Sequence, residues 1–464
     1  MSTFRLLSFF NNRPAVPRHI RRARPALTMA WGFLGIILIG SILLALPIAA
    51  RRGEALPYST ALFTSVSATC VTGLVVVDTA QSFSTFGCVV ILLLFQVGGL
   101  GFMSITTIFY FVMRRKINLT QRVLLVQSLS LHDIKGVVRL IRHVLLGTMI
   151  SESCGALILW THFVPRFGLG KALWLAVFHS VSAFTNSGFD LMGANDAFAG
   201  FVGYERDPVV LVTLMVLTFV GGLGFFVWED IYNNRSFKRL QLHTKLVLSI
   251  TLFLVLVGWL LIFVAERNNP ATMGTMTLPQ ALLASLFQAI MPRSGGLALY
   301  NQDSLTGISK LIVMLLMFVG GSAGSAAGGI KNVTAGVIVF SSINTIRGKT
   351  SLSLFGRTVP AIQIKGAVSL AVLVVMTLII AIITISFLQP ELTLTSVLFE
   401  TVSATTNCGL SNGLTSILDL PALCVLMLCM VAGRVGITVY GMSAFLRRNT
   451  VEDYKHPDAW IMMG

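Results

Sequence analysis

Apolar runs near or above twenty residues alternate along this chain with short basic or acidic stretches. A run of that length spans a bilayer as a helix, so the pattern predicts a polytopic membrane protein. The first run, residues 26–50, leads to Arg51-Arg52-Gly53-Glu54. The next, residues 58–69, is too short to cross and ends at Cys70-Val71-Thr72-Gly73. A half-length helix followed by polar, glycine-containing backbone predicts a re-entrant loop, which a membrane tolerates only where it lines a water-filled cavity. The chain emerges at Asp78 and returns through residues 83–113 to the basic Arg114-Arg115-Lys116. One unit is therefore span, re-entrant helix, loop, span.

The unit recurs about every 110 residues. Phe63-Thr64-Ser65-Val66-Ser67-Ala68 stands ten residues ahead of Gly73, and Phe178-His179-Ser180-Val181-Ser182-Ala183 stands ten ahead of Gly188. Phe399-Glu400-Thr401-Val402-Ser403-Ala404 has the same offset from Gly409, and the more diverged Leu286-Phe287-Gln288-Ala289-Ile290-Met291 has it from Gly296. The closing spans repeat as well. Val97-Gly98-Gly99-Leu100-Gly101-Phe102 and Val220-Gly221-Gly222-Leu223-Gly224-Phe225 are near copies. Val319-Gly320-Gly321-Ser322-Ala323-Gly324 keeps the frame, and Ala432-Gly433-Arg434-Val435-Gly436-Ile437 puts an arginine at the second glycine. Internal repeats of this kind define a fold. The expectation is an all-α polytopic membrane protein of four span–re-entrant pore loop–span repeats, eight transmembrane helices in pseudo-fourfold arrangement around one pore. The divisions are a basic N-terminus (1–25), repeats at 26–116, 117–240, 241–348 and 349–448, and a C-terminal tail (449–464).

Composition agrees. A chain that is 55% hydrophobic and 11% charged, with a mean hydropathy of +0.83, is not a soluble domain. Its net charge of +16 would suggest nucleic acid in a soluble protein. Here lysine and arginine collect in alternate loops (114–143, 232–245, 341–365 and 447–464), as the positive-inside rule requires, and nucleic acid is no partner. That places both termini in the cytoplasm of a multi-pass protein of the cell (inner) membrane. The other side carries acids including Asp78, Asp190, Asp207, Glu266 and Asp303, an outer mouth that would concentrate cations. The run at 26–50 is too long for a signal peptide and lacks a convincing cleavage site. The six cysteines match neither a disulfide framework nor a zinc site, so they read as small hydrophobes.

The chemistry lies in the loops. Cys70, Val71, Thr72 and Gly73, then Asn186, Ser187 and Gly188, then Ser294, Gly295 and Gly296, and last Asn407, Cys408 and Gly409 offer no histidine or carboxylate. What they offer is backbone. Four such loops around an axis can present rings of carbonyl oxygens that replace the hydration shell of a monovalent cation. Residues Gly320, Gly321, Ser322, Ala323, Gly324, Ser325, Ala326, Ala327, Gly328 and Gly329, with Lys331, are too rich in glycine and small side chains to hold a helix. They read as an intramembrane loop beneath the filter, a gate, with a small-residue packing face as the other reading. Arg434 inside a span must face protein or water. It is expected on the pore axis as a barrier to the passing cation, or else in an ion pair with a carboxylate such as Glu152. Arg293 is expected at the rim, paired with an outer acid. An enzyme would need paired carboxylates or a Ser/His pair at membrane depth, and His179, Glu152 and Glu400 look isolated in sequence.

Taken together, four span–loop–span units with filter glycines, a small-residue loop in the third and an arginine in the fourth resemble the Trk/Ktr/HKT superfamily of cation transporters. The likeness covers nearly the whole chain and is greatest to the Ktr membrane subunit. It implies that Gly73, Gly188, Gly296 and Gly409 are the filter glycines, that 320–329 is the gating loop and that Arg434 is the pore arginine. Glycine in all four filters implies potassium as the transported ion, with sodium as a coupling ion left open and a sodium or mixed transporter as the alternative. The resemblance further implies a homodimer and a cytosolic nucleotide-binding regulatory ring that controls the gate. The chain itself carries no Gly-x-Gly-x-x-Gly after an expected strand and so no organic cofactor site. Its basic inner loops and the tail around Trp460 suit either that ring or anionic lipid headgroups of the membrane.

Overall fold

The computed structural model describes residues 25–101, 137–194, 196–349 and 351–436. The basic N-terminus, most of the basic 114–143 stretch and the C-terminal tail lie outside the described residues. One arrangement of elements recurs along the described chain. Helix α1 (Pro25–Ala45) is followed by the short α2 (Tyr58–Thr69), a loop, and α3 (Thr85–Leu100). Then come α4 (Val137–Phe167), the short α5 (Leu169–Thr185), and α6 (Pro208–Leu223), which turns into α7 (Phe225–Asn234). The third set is α8 (Leu242–Glu266), α9 (Leu278–Ile290) and α10 (Gly307–Phe318), continued beyond a break by α11 (Asn332–Ile346). The fourth is α12 (Ala361–Leu388), α13 (Leu394–Thr406) and α14 (Leu420–Val431), which ends in a π turn at Ala432–Gly436. A small hairpin, β1 (Leu352–Leu354) with β2 (Arg357–Val359), joins α11 to α12.

Local sequence sets the boundaries. Pro47 stops α1 short of the apolar run that contains it, because proline cannot continue an i→i−4 ladder. Asp207 caps α6 through Val209 N and Val210 N with Pro208 at the first helical position, and Thr306 caps α10 through Ser309 N. The long helices bury one stripe. In α8 its main line is Thr244, Val247, Thr251, Val255, Gly258, Ile262 and Glu266, spaced by three or four, with Leu246 buried beside it, while Phe253, Leu260 and Val264 face outward. The short helices are enclosed, and Phe63, Phe178, Phe287 and Phe399 are fully buried.

Among the described residues α8, α12 and the Arg142–Phe167 part of α4 are individually long and apolar enough to cross a bilayer. The chain is a multi-pass, predominantly helical membrane protein. Each long helix packs on the short helix that follows it. Each closing helix packs on the short helix of the next set: α3 on α5, α6 on α9, α10 on α13, and α14 back on α2. In lipid such contacts are held by close packing and hydrogen bonds, since a bilayer offers no hydrophobic drive between helices.

Candidate functional site

The four loops share one backbone. The residue two places before each loop glycine has a left-handed conformation: Val71 (φ 58°), Asn186 (58°), Ser294 (74°) and Asn407 (52°). The glycines follow at φ 93° (Gly73), 72° (Gly188), 69° (Gly296) and 94° (Gly409), a region open to glycine and strained for other residues. Hydrogen bonds to the preceding helix hold the turn. Thr72 N donates to Ser67 O, Ser187 N to Ser182 O and Cys408 N to Ser403 O at 2.8–2.9 Å. Gly73 N and Gly409 N donate to Ser67 Oγ and Ser403 Oγ, both at 3.1 Å.

The glycines touch in cyclic order. A Cβ on Gly73 would overlap the Ser187 carbonyl oxygen, and one on Gly188 would lie 2.9 Å from Gly296 Cα. One on Gly296 would lie 2.5 Å from the Cys408 carbonyl oxygen, and one on Gly409 would overlap that of Thr72. The structure thus gathers the four glycines around one point. The first glycine of the helix pairs backs onto the same layer: a Cβ on Gly98, Gly221 or Gly433 would overlap the carbonyl oxygen of Thr69, Phe184 or Thr405. Asn186, with its amide turned to donate, reaches Thr218 O at 3.2 Å, and Asn407 reaches Met430 O at 2.9 Å. These asparagines pin the second and fourth loops to their closing helices. Asn407 also donates to Thr72 Oγ1 at 2.9 Å, which joins the fourth loop to the first.

A set of tethers escaped the sequence reading. His179, Gln288 and Glu400 each follow the buried phenylalanine of a short helix and hold the chain just beyond the loop. His179 Nδ1 donates to Leu175 O at 2.7 Å, and its Nε2 accepts from Leu191 N at 3.1 Å, which fixes the neutral tautomer. Gln288 Nε2 donates to Gln302 Oε1 at 2.7 Å. The Glu400 carboxylate accepts from Ser411 Oγ at 2.7 Å, Thr415 N at 3.1 Å, Asn412 N at 3.4 Å and the Thr415 hydroxyl. The glycine-based alignment puts Leu286 at the phenylalanine position. Burial puts Phe287 there instead, with the third loop one residue shorter: Gly296 N bonds Met291 O, five residues back.

Beneath the loops the third set breaks, as expected, at residues 319–331. Gly320 N donates to Ile330 O at 3.0 Å, so the break is closed at its neck. Ser322 N donates to Gly222 O at 3.0 Å, and Lys331 Nζ to Ala327 O at 2.7 Å. Val319, Gly321, Ala323, Gly324, Ser325, Ala326, Gly328 and Gly329 complete the stretch. The second set also breaks, which the sequence did not suggest. Helices α6 and α7 meet at 91° around Gly224 (φ 94°), and Phe225 N then donates to Gly324 O at 3.0 Å. Arg434 reaches from the fourth set to two others. Its Nη1 donates to Ala326 O at 2.5 Å and Ala327 O at 3.3 Å, and its Nη2 to Gly98 O at 2.6 Å. Because the sets are ordered cyclically, the first and third stand opposite, and the guanidinium spans the space between them.

Three expectations change. Glu152, weighed as a partner for Arg434, accepts instead from Gln96 Nε2 at 3.0 and 3.2 Å. Arg293 is buried rather than at an outer rim, and its Nη2 donates inward to Gly320 O at 3.2 Å. Of the acids expected at the mouth, Asp78 is engaged by Gln81 N and Phe198 N, and Glu266 by Thr272 and Thr306, so these hold loops in place.

Comparison with known proteins bears on the whole chain. The family model described as TrkH, cation transport protein, matches residues 6–449. The Ktr system potassium uptake protein B of Bacillus subtilis is 37% identical over 445 residues, 96% of this chain and 97% of that protein. The potassium/sodium uptake protein NtpJ of Enterococcus hirae is 34% identical over 448 residues, 96% of this chain and 98% of that protein. Among solved structures, the potassium transporter TrkH from Vibrio parahaemolyticus shares the fold, with a TM-score of 0.66 and 15% identity over 88% of this chain and 84% of that one.

Proposed function

The chain belongs to the TrkH family of cation transport proteins, transporters rather than enzymes, and from that premise we propose that it takes up potassium through a pore at the centre of its four loops. In this reading the sets form four repeats with eight membrane crossings and pseudo-fourfold symmetry. The loops bearing Gly73, Gly188, Gly296 and Gly409 are the selectivity filter, and their carbonyl oxygens stand in for the water shell of a potassium ion. The segment at 319–331 and Arg434 form the gate below. The observation that carries the proposal is the closed ring of glycine contacts, with one guanidinium bridging opposite sets directly beneath it. Relatives named as Ktr system potassium uptake proteins favour that ion. We further propose a homodimer in the cell membrane, termini in the cytoplasm, controlled by a cytosolic nucleotide-binding ring. Relatives named as proteins B and D of a Ktr system fit a chain that works with others.

A sodium or mixed transporter is the second reading, favoured by the potassium/sodium name of one relative. Growth and ion uptake in cells lacking their own potassium systems test both, comparing wild type with Gly73→Ser, with and without sodium. The expected outcome is rescue by wild type in low potassium and loss of potassium-over-sodium discrimination in the variant. Equal uptake of the two ions by wild type would establish the second reading. If membrane-inserted wild type failed to rescue even with a ring subunit, potassium would have to be removed from the proposal.

A further inference from the structure

Two adjacent residues of the third loop hold the segment 319–331 at both of its ends. Arg293 Nη2 donates to Gly320 O at 3.2 Å, where the segment begins. Ser294 Oγ accepts from Gly328 N at 3.0 Å, near where it closes. Resting on the reading of this segment as the gate, we propose that Arg293 and Ser294 are positioning residues that couple gate to filter, so that the segment cannot leave its seat without releasing the third loop.

Comparison of the sets supports this. At the equivalent position the second and fourth loops carry Asn186 and Asn407, whose amides hold helical carbonyls at Thr218 and Met430. The third loop alone spends that position on the non-helical segment. Ser294 keeps the left-handed backbone (φ 74°) that places its hydroxyl there, although serine gains little from that conformation. The arginine is costly as well. Its side chain is buried at membrane depth, where a charge is retained when it has a task.

The same nitrogen has a second partner. Nη2 lies 3.5 Å from Thr251 Oγ1, which accepts from Asn332 Nδ2 at 2.9 Å. Asn332 N in turn donates to Gly321 O at 3.1 Å. A cavity of about 20 Å³ lies against Arg293, lined by Thr218, Phe219, Gly222, Thr251, Ile290 and Gly321. When Gly320 moves off, the guanidinium can keep Thr251 while a water in this cavity takes up the freed donor, and the third loop loses both of its contacts to the segment. Filter and gate then have two joint arrangements, the physical requirement for coupling between sites.

The test uses the full chain in lipid nanodiscs and in vesicles, carrying Ser325→Cys as a reporter with Cys154 and Cys424 replaced by alanine. Arg293→Met, Arg293→Lys and Ser294→Ala are each compared with this parent, after size-exclusion chromatography confirms folded protein. The rate at which a charged methanethiosulfonate reagent modifies the reporter reads release of the segment. The ratio of potassium to sodium flux reads the filter. Arg293→Met and Ser294→Ala should raise the modification rate about tenfold, the population shift expected from losing one hydrogen bond. Both should lower the flux ratio, and Arg293→Lys should restore most of each. An unchanged modification rate overturns the proposal, and so does faster modification with an unchanged ratio. If Arg293→Met does not fold, Ser294→Ala decides. Wild-type protein that moves neither ion in the same vesicles removes the functional reading itself, and the modification rate still reports whether these residues hold the segment.

Discussion

Glu400 has four hydrogen-bond donors on one carboxylate, and all four come from the chain between Ser411 and Thr415. A carboxylate so satisfied is bound to its loop, and truncating it strands every donor in a buried place. Glu400→Ala should therefore cost about 3 kcal/mol or more of stability, read as a lowered unfolding temperature in detergent. Glu400→Gln keeps an acceptor oxygen and should cost less. The filter-glycine candidates were legible in the sequence, because a glycine at a fixed offset from a repeated hexamer marks itself. The tethers were not. His179 and Glu400 looked isolated because their partners lie across a chain reversal of eleven to fifteen residues. Gln288 was hidden by the one-residue shortening of the third loop. Arg293 was misplaced for a related reason: its position beside the loop was visible, but the side on which its carbonyl partner would lie was not.

At the scale of elements, the two kinds of break differ in how they announce themselves. The third set carries a run of glycine, serine and alanine that no helix would choose, and the break falls there. In the second set Val220-Gly221-Gly222-Leu223-Gly224-Phe225 is apolar throughout, and its periodicity passes through the bend unmarked. The bend is a demand of packing. Gly224 at φ 94° turns the chain so that Phe225 N can reach Gly324 O, and a Cβ there would stand 2.8 Å from Ala323 O. Gly224→Ala should lose about 1–3 kcal/mol from backbone strain. Because it disturbs the seat of the proposed gate, it should also raise resting potassium flux in vesicles. Lowered stability with unchanged flux would show that the bend supports the fold and leaves the segment alone. The first span tells a similar story, since the apolar run reaches residue 50 while the helix ends at Ala45, ahead of Pro47.

For the whole molecule, the internal repeat led both to the order of elements and to the expectation of a pseudo-fourfold arrangement, while the contacts that would close that order could not be read from it. Four similar units in a line can stack as a row or meet as a ring. The packing of α14 on α2 and the contact of Gly409 with Thr72 make this one a ring. Closure gives the interior one shared floor, and the segment 319–331 hangs within it from a neck. The parallel bridge between Val319 and Ile330, with the Gly320–Ile330 hydrogen bond, keeps the two ends of that segment together. On the proposed reading the segment, Gly320 and Gly328 included, shifts off the third loop as one closed piece while α10 and α11 stay where they are. No span then has to tilt or lengthen, and the cross-section of the protein in the plane of the membrane need not change. On the proposed reading, opening does no work against the bilayer, so flux should be nearly the same in vesicles of short-chain and long-chain lipids and under osmotic stretch. A steep dependence on either would mean that whole helices move. A transporter built this way would be deaf to membrane tension, leaving its control to whatever touches the neck.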